Sequence, residues 1–297
     1  MYEAKIMMKY YFIKGLLVIF SFLPLTFIRI LGDLIGKIIY KYSIKGKKRT
    51  IANLLVTGIA TKDNVDEMAL NVAKNLGQTL LETFLIAWNR NKKYNYKLIQ
   101  QFNNIEQVVQ SVNSDRAIIF LTPHIANFEI IVKATAFMLS NKKFTIIVKP
   151  SKNKTFNKLM FDGRMEDNIN PVPTNKSGVI SLLKALRNKE FIGVLPDSVA
   201  SQGDGVWVNF FGQKVFATTL SAKMIQYQLA DIYIVNNTRV KNGFIVDFIK
   251  YESKLLNNTT DIVQEIYQIL EQIITANPEQ YFWSYDRFRS PDHAPKI

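Results

Sequence analysis

The chain has 297 residues, 48% of them hydrophobic and 12% aromatic, with a formal net charge of +14, two histidines and no cysteine. That length and apolar content supply one large core. The absence of cysteine excludes disulfides, thiolate metal sites and a cysteine nucleophile, and two histidines disfavour an imidazole-built zinc site.

The charge calls for anionic partners, and it is uneven. Residues 1–50 hold ten basic side chains, among them Lys5, Lys9, Lys14 and Arg29, against only Glu3 and Asp33. They are interleaved with apolar residues rather than collected in a solvated tail. This pattern argues against nucleic acid and for an anionic membrane surface.

Gly15 to Ile28 is uncharged and apolar, broken by Pro24. At about 1.5 Å per residue it reaches roughly 21 Å, short of a ~30 Å hydrocarbon core. Extending it over Met7–Ile39 obliges Lys9, Lys14 and Arg29 to snorkel or lie at the interface. No small-residue cleavage site follows it convincingly. The expectation is an uncleaved anchor within residues 1–45, in the interface plane or tilted through one bilayer; the alternative is a buried soluble helix pair. A catalytic domain then occupies 46–297, with its core at 115–250. Lys45-Gly-Lys-Lys-Arg49 reads as a basic break at the membrane surface, and Thr50 to about Asn91 reads as packing helices.

Downstream, short β-branched runs alternate with longer helical ones. Arg116–Leu121, Phe144–Val148 and Phe191–Leu195 read as buried strands, with a short extended piece at 170–173. Helices are expected over Ala126–Leu139, Thr155–Asn168, Ser177–Asn188, from Thr218 or Thr219 to Ala230, and over Thr260–Thr275. Gly203 and Gly205 mark a turn, since a lone Gly-x-Gly lacks a nucleotide-binding pattern. Asp231–Arg239 and Gly243–Ile249 form a hairpin around Lys241-Asn242-Gly243. The fold class is α/β: a mostly parallel sheet with an antiparallel addition, flanked by helices, preceded by an N-terminal membrane-associated helix. His124 and Asp197 each follow a strand and therefore share the carboxyl edge of the sheet, where ligands bind in open α/β sheets.

His124 is followed five residues later by Glu129. On one continuous helix residues five apart diverge by roughly 140°. With His124 in the strand–helix junction, its ring can fold back over the first turn and meet the carboxylate. A carboxylate fixes the tautomer and stabilises the cation, which suits the ring to take a proton from an alcohol. The same spacing also fits a helix-capping histidine beside a solvated glutamate.

Four segments, in order, carry a wider resemblance: the His124–Glu129 block after its strand, Gly163-Arg164 on the next helix, Gly193-Val-Leu-Pro-Asp197 leading into 205–212, and the block 278–287. Over roughly residues 10–290 the chain resembles the bacterial late lipid A acyltransferases of the lysophospholipid acyltransferase superfamily. Relatives more often read His-x-Gly-Asn-Trp-Glu, where this chain has Ala126 and Phe128. Many have Asp-Gln where it has Asp197-Ser198.

The resemblance implies a membrane-associated O-acyltransferase at the cytoplasmic face of the bacterial inner membrane. It would move a fatty acyl chain from acyl carrier protein, or coenzyme A, to a hydroxyl of a phosphorylated glycolipid, a lipid A precursor. His124 is then the general base and Glu129 its orienting acid. Arg164 would hold a phosphate or carbonyl oxygen, and Asp197 would hold Arg164 or a sugar hydroxyl. Arg164 also reads as a solvated helix-end residue, and Asp197 as a plain turn aspartate. No cofactor or metal is expected, and no covalent acyl-enzyme, since there is no Gly-x-Ser-x-Gly elbow. The acyl groove should lie between the sheet edge and the N-terminal helices. Trp207, Phe210 and Phe211 read as core or pocket wall, and His293 as a mobile tail residue without a role. Competing readings are acylation of another bacterial glycolipid or an ornithine lipid, or a non-catalytic membrane-surface scaffold.

Overall fold

A computed structural model describes residues 2–89, 91–139, 141–252 and 258–295, with side chains from residue 7 onward. The side chains of Glu3 and Lys5, and Arg90 in the second helical stretch, therefore lie outside the described set. Four helices come first: α1 (Tyr2–Phe20), α2 (Leu25–Tyr42), α3 (Ile44–Val56) and α4 (Val65–Trp88). Pro24 precedes α2; a proline disfavours helical backbone at the residue before it, which ends the preceding helix.

Helix α2 turns Leu25, Ile28, Gly32 and Gly36 inward and packs along α4. Where Gly32, Gly36 and Gly77 meet, the two backbones touch. A β-carbon on Gly77 would sit 2.0 Å from the Gly32 carbonyl oxygen, and one on Gly36 2.3 Å from that of Ala73. Much of the 1–45 segment thus belongs to the packed body.

Arg29 does not snorkel. Its Nε donates to Oε1 of the fully buried Glu82 at 2.7 Å, and its Nη atoms donate to the carbonyls of Val240, Lys241 and Gly243. A buried carboxylate and three carbonyls replace the water that an interfacial arginine would need. Lys14 lies over the rings of Tyr10 and Trp88 at 5.7 and 5.6 Å. Nor is 45–49 a break: it continues as α3, with Arg49 Nη2 donating to Asp286 at 2.8 Å and Lys47 4.2 Å from the Tyr40 ring. Among the described residues no helix is long and apolar enough to cross a membrane.

After α5 (Lys92–Lys97) the chain alternates: β1 (Ile99–Asn103), α6 (Ile105–Asn113), β2 (Ala117–Leu121), α7 (Glu129–Met138), β3 (Phe144–Val148), α8 (Lys154–Arg164), β4 (Ile169–Pro173), α9 (Lys176–Arg187) and β5 (Phe191–Val194). Then follow the hairpin β6 (Gly205–Phe210) and β7 (Gln213–Thr218), α10 (Leu220–Gln226), β8 (Ala230–Val240), β9 (Gly243–Tyr251) and α11 (Thr259–Ala276). The main sheet has the order β1-β9-β8-β2-β5-β3-β4, parallel except for the β8–β9 hairpin. Strand β1, pairing with β9, and the separate β6–β7 ribbon were not expected. Helix α10 stops short of Ala230 because Gln228 takes a φ of 53° and Ala230 already pairs in β8.

The period-2 pleat divides the core. Ile118 and Phe120 face one side with Ile130, Ile131 and Ala134 of α7; Ile119 and Leu121 face the other, in the cluster that holds Leu182 of α9 and Ile266 of α11. Helices on both faces cover a parallel sheet whose central strand β2 is buried throughout.

Candidate active site

Strand β2 delivers the chain to the carboxyl edge, and residues 122–128 form a tight connection into α7. Ala126 sits at φ 44°, the left-handed region that glycine favours and alanine enters at about 1–2 kcal/mol. The β-carbon has not prevented a glycine-like backbone here, because neighbours hold it. Ala126 N–H donates to the Gln280 carbonyl at 2.9 Å, and the Thr79 hydroxyl donates to the Ala126 carbonyl at 3.1 Å. The Asn127 amide oxygen accepts from the Glu129 N–H at 3.2 Å, satisfying a free donor at the start of α7.

The histidine's partner is not the one that spacing suggested. His124 Nδ1 lies 2.7 Å from Asp197 Oδ1, and His124 N–H donates to Asp197 Oδ2 at 2.9 Å. Asp197, 1% exposed, arrives from the end of β5, which pairs in parallel with β2. The Tyr281 hydroxyl donates to the same Oδ2 at 3.1 Å. Burial pushes the Asp197 carboxyl up, but the charge and hydrogen bonds of His124, with the nearby Arg287, bring it net below the usual carboxylate value.

Glu129, by contrast, belongs to Arg164. The Arg164 Nε donates to Oε1 at 2.9 Å and to Oε2 at 3.1 Å, and Nη2 completes the fork. Burial lowers the Arg164 pKa, yet the Glu129 charge raises it overall. The expected His124–Glu129 contact and the expected Asp197–Arg164 contact are both replaced. The physical reason is the junction: Glu129 is the first residue of α7 and is buried toward α8, while Asp197 lies beside the ring, just past the end of the adjacent strand.

All the same, His124, Glu129 and Arg164 line two common cavities, of about 220 Å³ and about 620 Å³. Their shared wall includes Phe128, Phe156, Met160 and Phe282. The His124 ring meets Phe128 edge-on at 5.4 Å and Phe282 at 6.4 Å. The smaller cavity continues along Leu76, Leu80 and Phe84 of α4; the larger one runs under α7. Among the described residues none of α1 or α2 lines either, so the groove is bounded by α4 and α8, on which α1 packs, rather than by the described part of the N-terminal helices.

With Nδ1 turned to the Asp197 carboxylate, Nε2 has no protein partner among the described residues, and in the tautomer that donates through Nδ1 it is the acceptor. Arg164 Nη1 is likewise unpaired there. A base and a cation therefore flank one apolar space. That arrangement can deprotonate a hydroxyl and stabilise a developing oxyanion. Among the described residues no group of acidic or histidine side chains could hold a metal.

Tyr281, Thr79 and Asn127 carry the site's support and were not singled out as site residues. Tyr281 was legible only as part of the 278–287 block and Asn127 only as part of the His124–Glu129 block; Thr79 gave no sequence signal of its own. Phe210 is fully buried against Tyr267, as expected of a core residue, and lines neither cavity. His293 is not loose: its Nε2 lies 3.1 Å from the Ala200 carbonyl oxygen, and its ring is 6.0 Å from Phe216.

A comparison with curated proteins returns no significant match. The family model of the bacterial lipid A biosynthesis acyltransferases, however, matches residues 3–290, nearly the full length, and the chain belongs to that family of acyltransferases.

Proposed function

We propose that the protein transfers a fatty acyl chain from an acyl carrier protein thioester to a hydroxyl of a lipid A precursor, with His124 as general base. The observation that carries this reading is the His124–Asp197 bond at the junction of two apolar cavities. His124 Nε2 takes the proton of the acceptor hydroxyl as its oxygen attacks the thioester carbonyl. Asp197 keeps the proton on Nδ1 and stabilises the imidazolium. Arg164, held by Glu129, offers Nη1 to the tetrahedral oxyanion. Collapse expels the thiolate, which recovers the proton from Nε2, leaving an ester and a free thiol.

Two features support a lipid acceptor at a membrane surface. Helix α2 buries one face and leaves Phe27, Ile30, Leu34 and Ile38 exposed on the other, and α1 exposes Met8, Phe12 and Ile19. Lys37, Lys41, Lys45 and Lys48 are exposed nearby in sequence. A stripe of this kind suits a helix lying in the interface of an anionic leaflet. The net charge of +14 also favours an acidic carrier as donor.

The test is an assay with labelled acyl carrier protein thioester and lipid A precursor in mixed micelles. Wild type should transfer label and His124→Ala should lose about 10²–10⁴ in rate. Equal transfer by both overturns the proposal.

A further inference from the structure

The larger cavity opens beside His124 and runs inward along the sheet, beneath α7. Its mouth is polar, with Thr122, Ser151 and Ser198 at the carboxyl edge of the sheet, and its interior is apolar. Register fixes the depth of each interior residue. Gly193 pairs with Phe120 on one side and Ile146 on the other, so these three stand at one level. Phe144 pairs with Phe191, two residues deeper. There its ring packs against Phe120 at 5.5 Å and Phe191 at 6.1 Å, closing the inner end.

With no side chain, Gly193 lets the edge of the Phe144 ring and the Ile146 side chain lie back against the strand at the intermediate level. A β-carbon there would lie 3.0 Å from Phe144 Cε2 and 3.1 Å from Ile146 Cγ2, and both residues line the cavity. A larger side chain must occupy the slot or push those neighbours into it. A narrow apolar slot with a polar mouth at a general base fits an alkyl chain, its carbonyl end outward.

We propose that Gly193 and Phe144 together set the length of the acyl chain the protein accepts: Gly193 keeps the slot passable and the Phe144 ring ends it. This rests on the acyl-transfer reading above. Each methylene denied burial weakens binding about fourfold, and two weaken it about fifteenfold.

The experiment uses the full-length protein and two readouts. One is displacement of a fluorescent fatty acid by saturated fatty acids of graded length. The other is transfer from acyl carrier protein thioesters of the same lengths. Gly193→Val should move both optima to chains about two to four carbons shorter. The longest chains should weaken at least about fifteenfold while the shortest stay within about threefold of wild type. Phe144→Leu should move both optima toward longer chains. Gly193→Ala serves if the valine variant does not fold, with the same direction and a smaller shift.

Unchanged length profiles in folded variants, or an equal loss at every length, overturn the assignment. A binding optimum that moves as described in a protein that transfers nothing upholds the slot and removes the acyl-transfer reading. Transfer with an unmoved optimum does the reverse.

Discussion

If Asp197 rather than Glu129 is the partner of the catalytic imidazole, the two carboxylates should fail differently when neutralised. Asp197→Asn keeps the shape of a side chain that is 1% exposed but removes the charge 2.7 Å from Nδ1. The imidazolium then forms without a counter-charge and the tautomer is no longer fixed. General-base catalysis contributes about 10²–10⁴ in rate; with the partner this close and this buried, we place the loss in kcat near 10³, about 4 kcal/mol. Glu129→Gln leaves His124–Asp197 untouched and weakens only the anchoring of Arg164, a loss of roughly ten- to thirtyfold at about 1.4 kcal/mol per decade.

A double-mutant cycle in the acyl carrier protein assay separates the cases. His124→Ala with Asp197→Asn should be scarcely worse than His124→Ala alone, because members of one catalytic unit are not additive. His124→Ala with Glu129→Gln should approach the product of the single effects. The reasoning is refuted if Glu129→Gln is as damaging as Asp197→Asn and is the variant that fails to add.

Glu82 accepts from both Arg29 and Arg239 in a buried cluster, so Glu82→Gln strands two cations and should cost about 3–5 kcal/mol; a melting temperature within error of wild type would contradict this. Ala126→Gly relieves a left-handed alanine; thermal melts should show stability unchanged or raised by up to about 1 kcal/mol, and a large loss would mean that the φ of 44° is not the solution conformation. The Asp197 carboxyl titrates below its ordinary value when folded. Its stabilising effect is therefore full above the ordinary value, and it is lost as pH falls through the lower folded one. The stability gap between wild type and Asp197→Asn in denaturant titrations should narrow as pH falls below about 4.

The strands that place the site were legible because each is a short, continuous apolar run closed by a turn residue: Ala117–Leu121 and Phe191–Val194 emerged within a residue or two of where they lie. Their shared edge followed from parallel pairing alone, which is why His124 and Asp197 could be put on one side of the sheet. What could not be read was which acid meets the ring. Spacing along the chain made Glu129 the nearest candidate, but Asp197, 73 residues on, is brought closer by one parallel pairing. Arg29 misled for a similar reason. A cation beside an apolar run reads as interfacial, and nothing local reveals that Glu82, 53 residues later, waits for it in the core.

The two replaced pairings have a common logic. If His124 is the base proposed above, it needs a partner that stays ionised, and the His124 N–H, the Tyr281 hydroxyl and the field of Arg287 all face the Asp197 carboxylate. On the same proposal, an arginine that is to bind the oxyanion needs a fixed fork with one nitrogen left over, and Glu129 leaves Nη1 over by occupying Nε and Nη2. Crossing the partners would set a mobile arginine beside a base whose tautomer depended on a helix-end glutamate. The backbone is drawn in as well. Thr79 accepts from Arg239 Nη2 at 2.6 Å while its hydroxyl supports the Ala126 carbonyl, and Arg239 is itself held by Glu82, the partner of Arg29 in α2. The strain at Ala126 is thus supported through contacts that begin at Arg29 in α2, so a helix with an exposed apolar face and the backbone beside His124 are joined by one chain of hydrogen bonds.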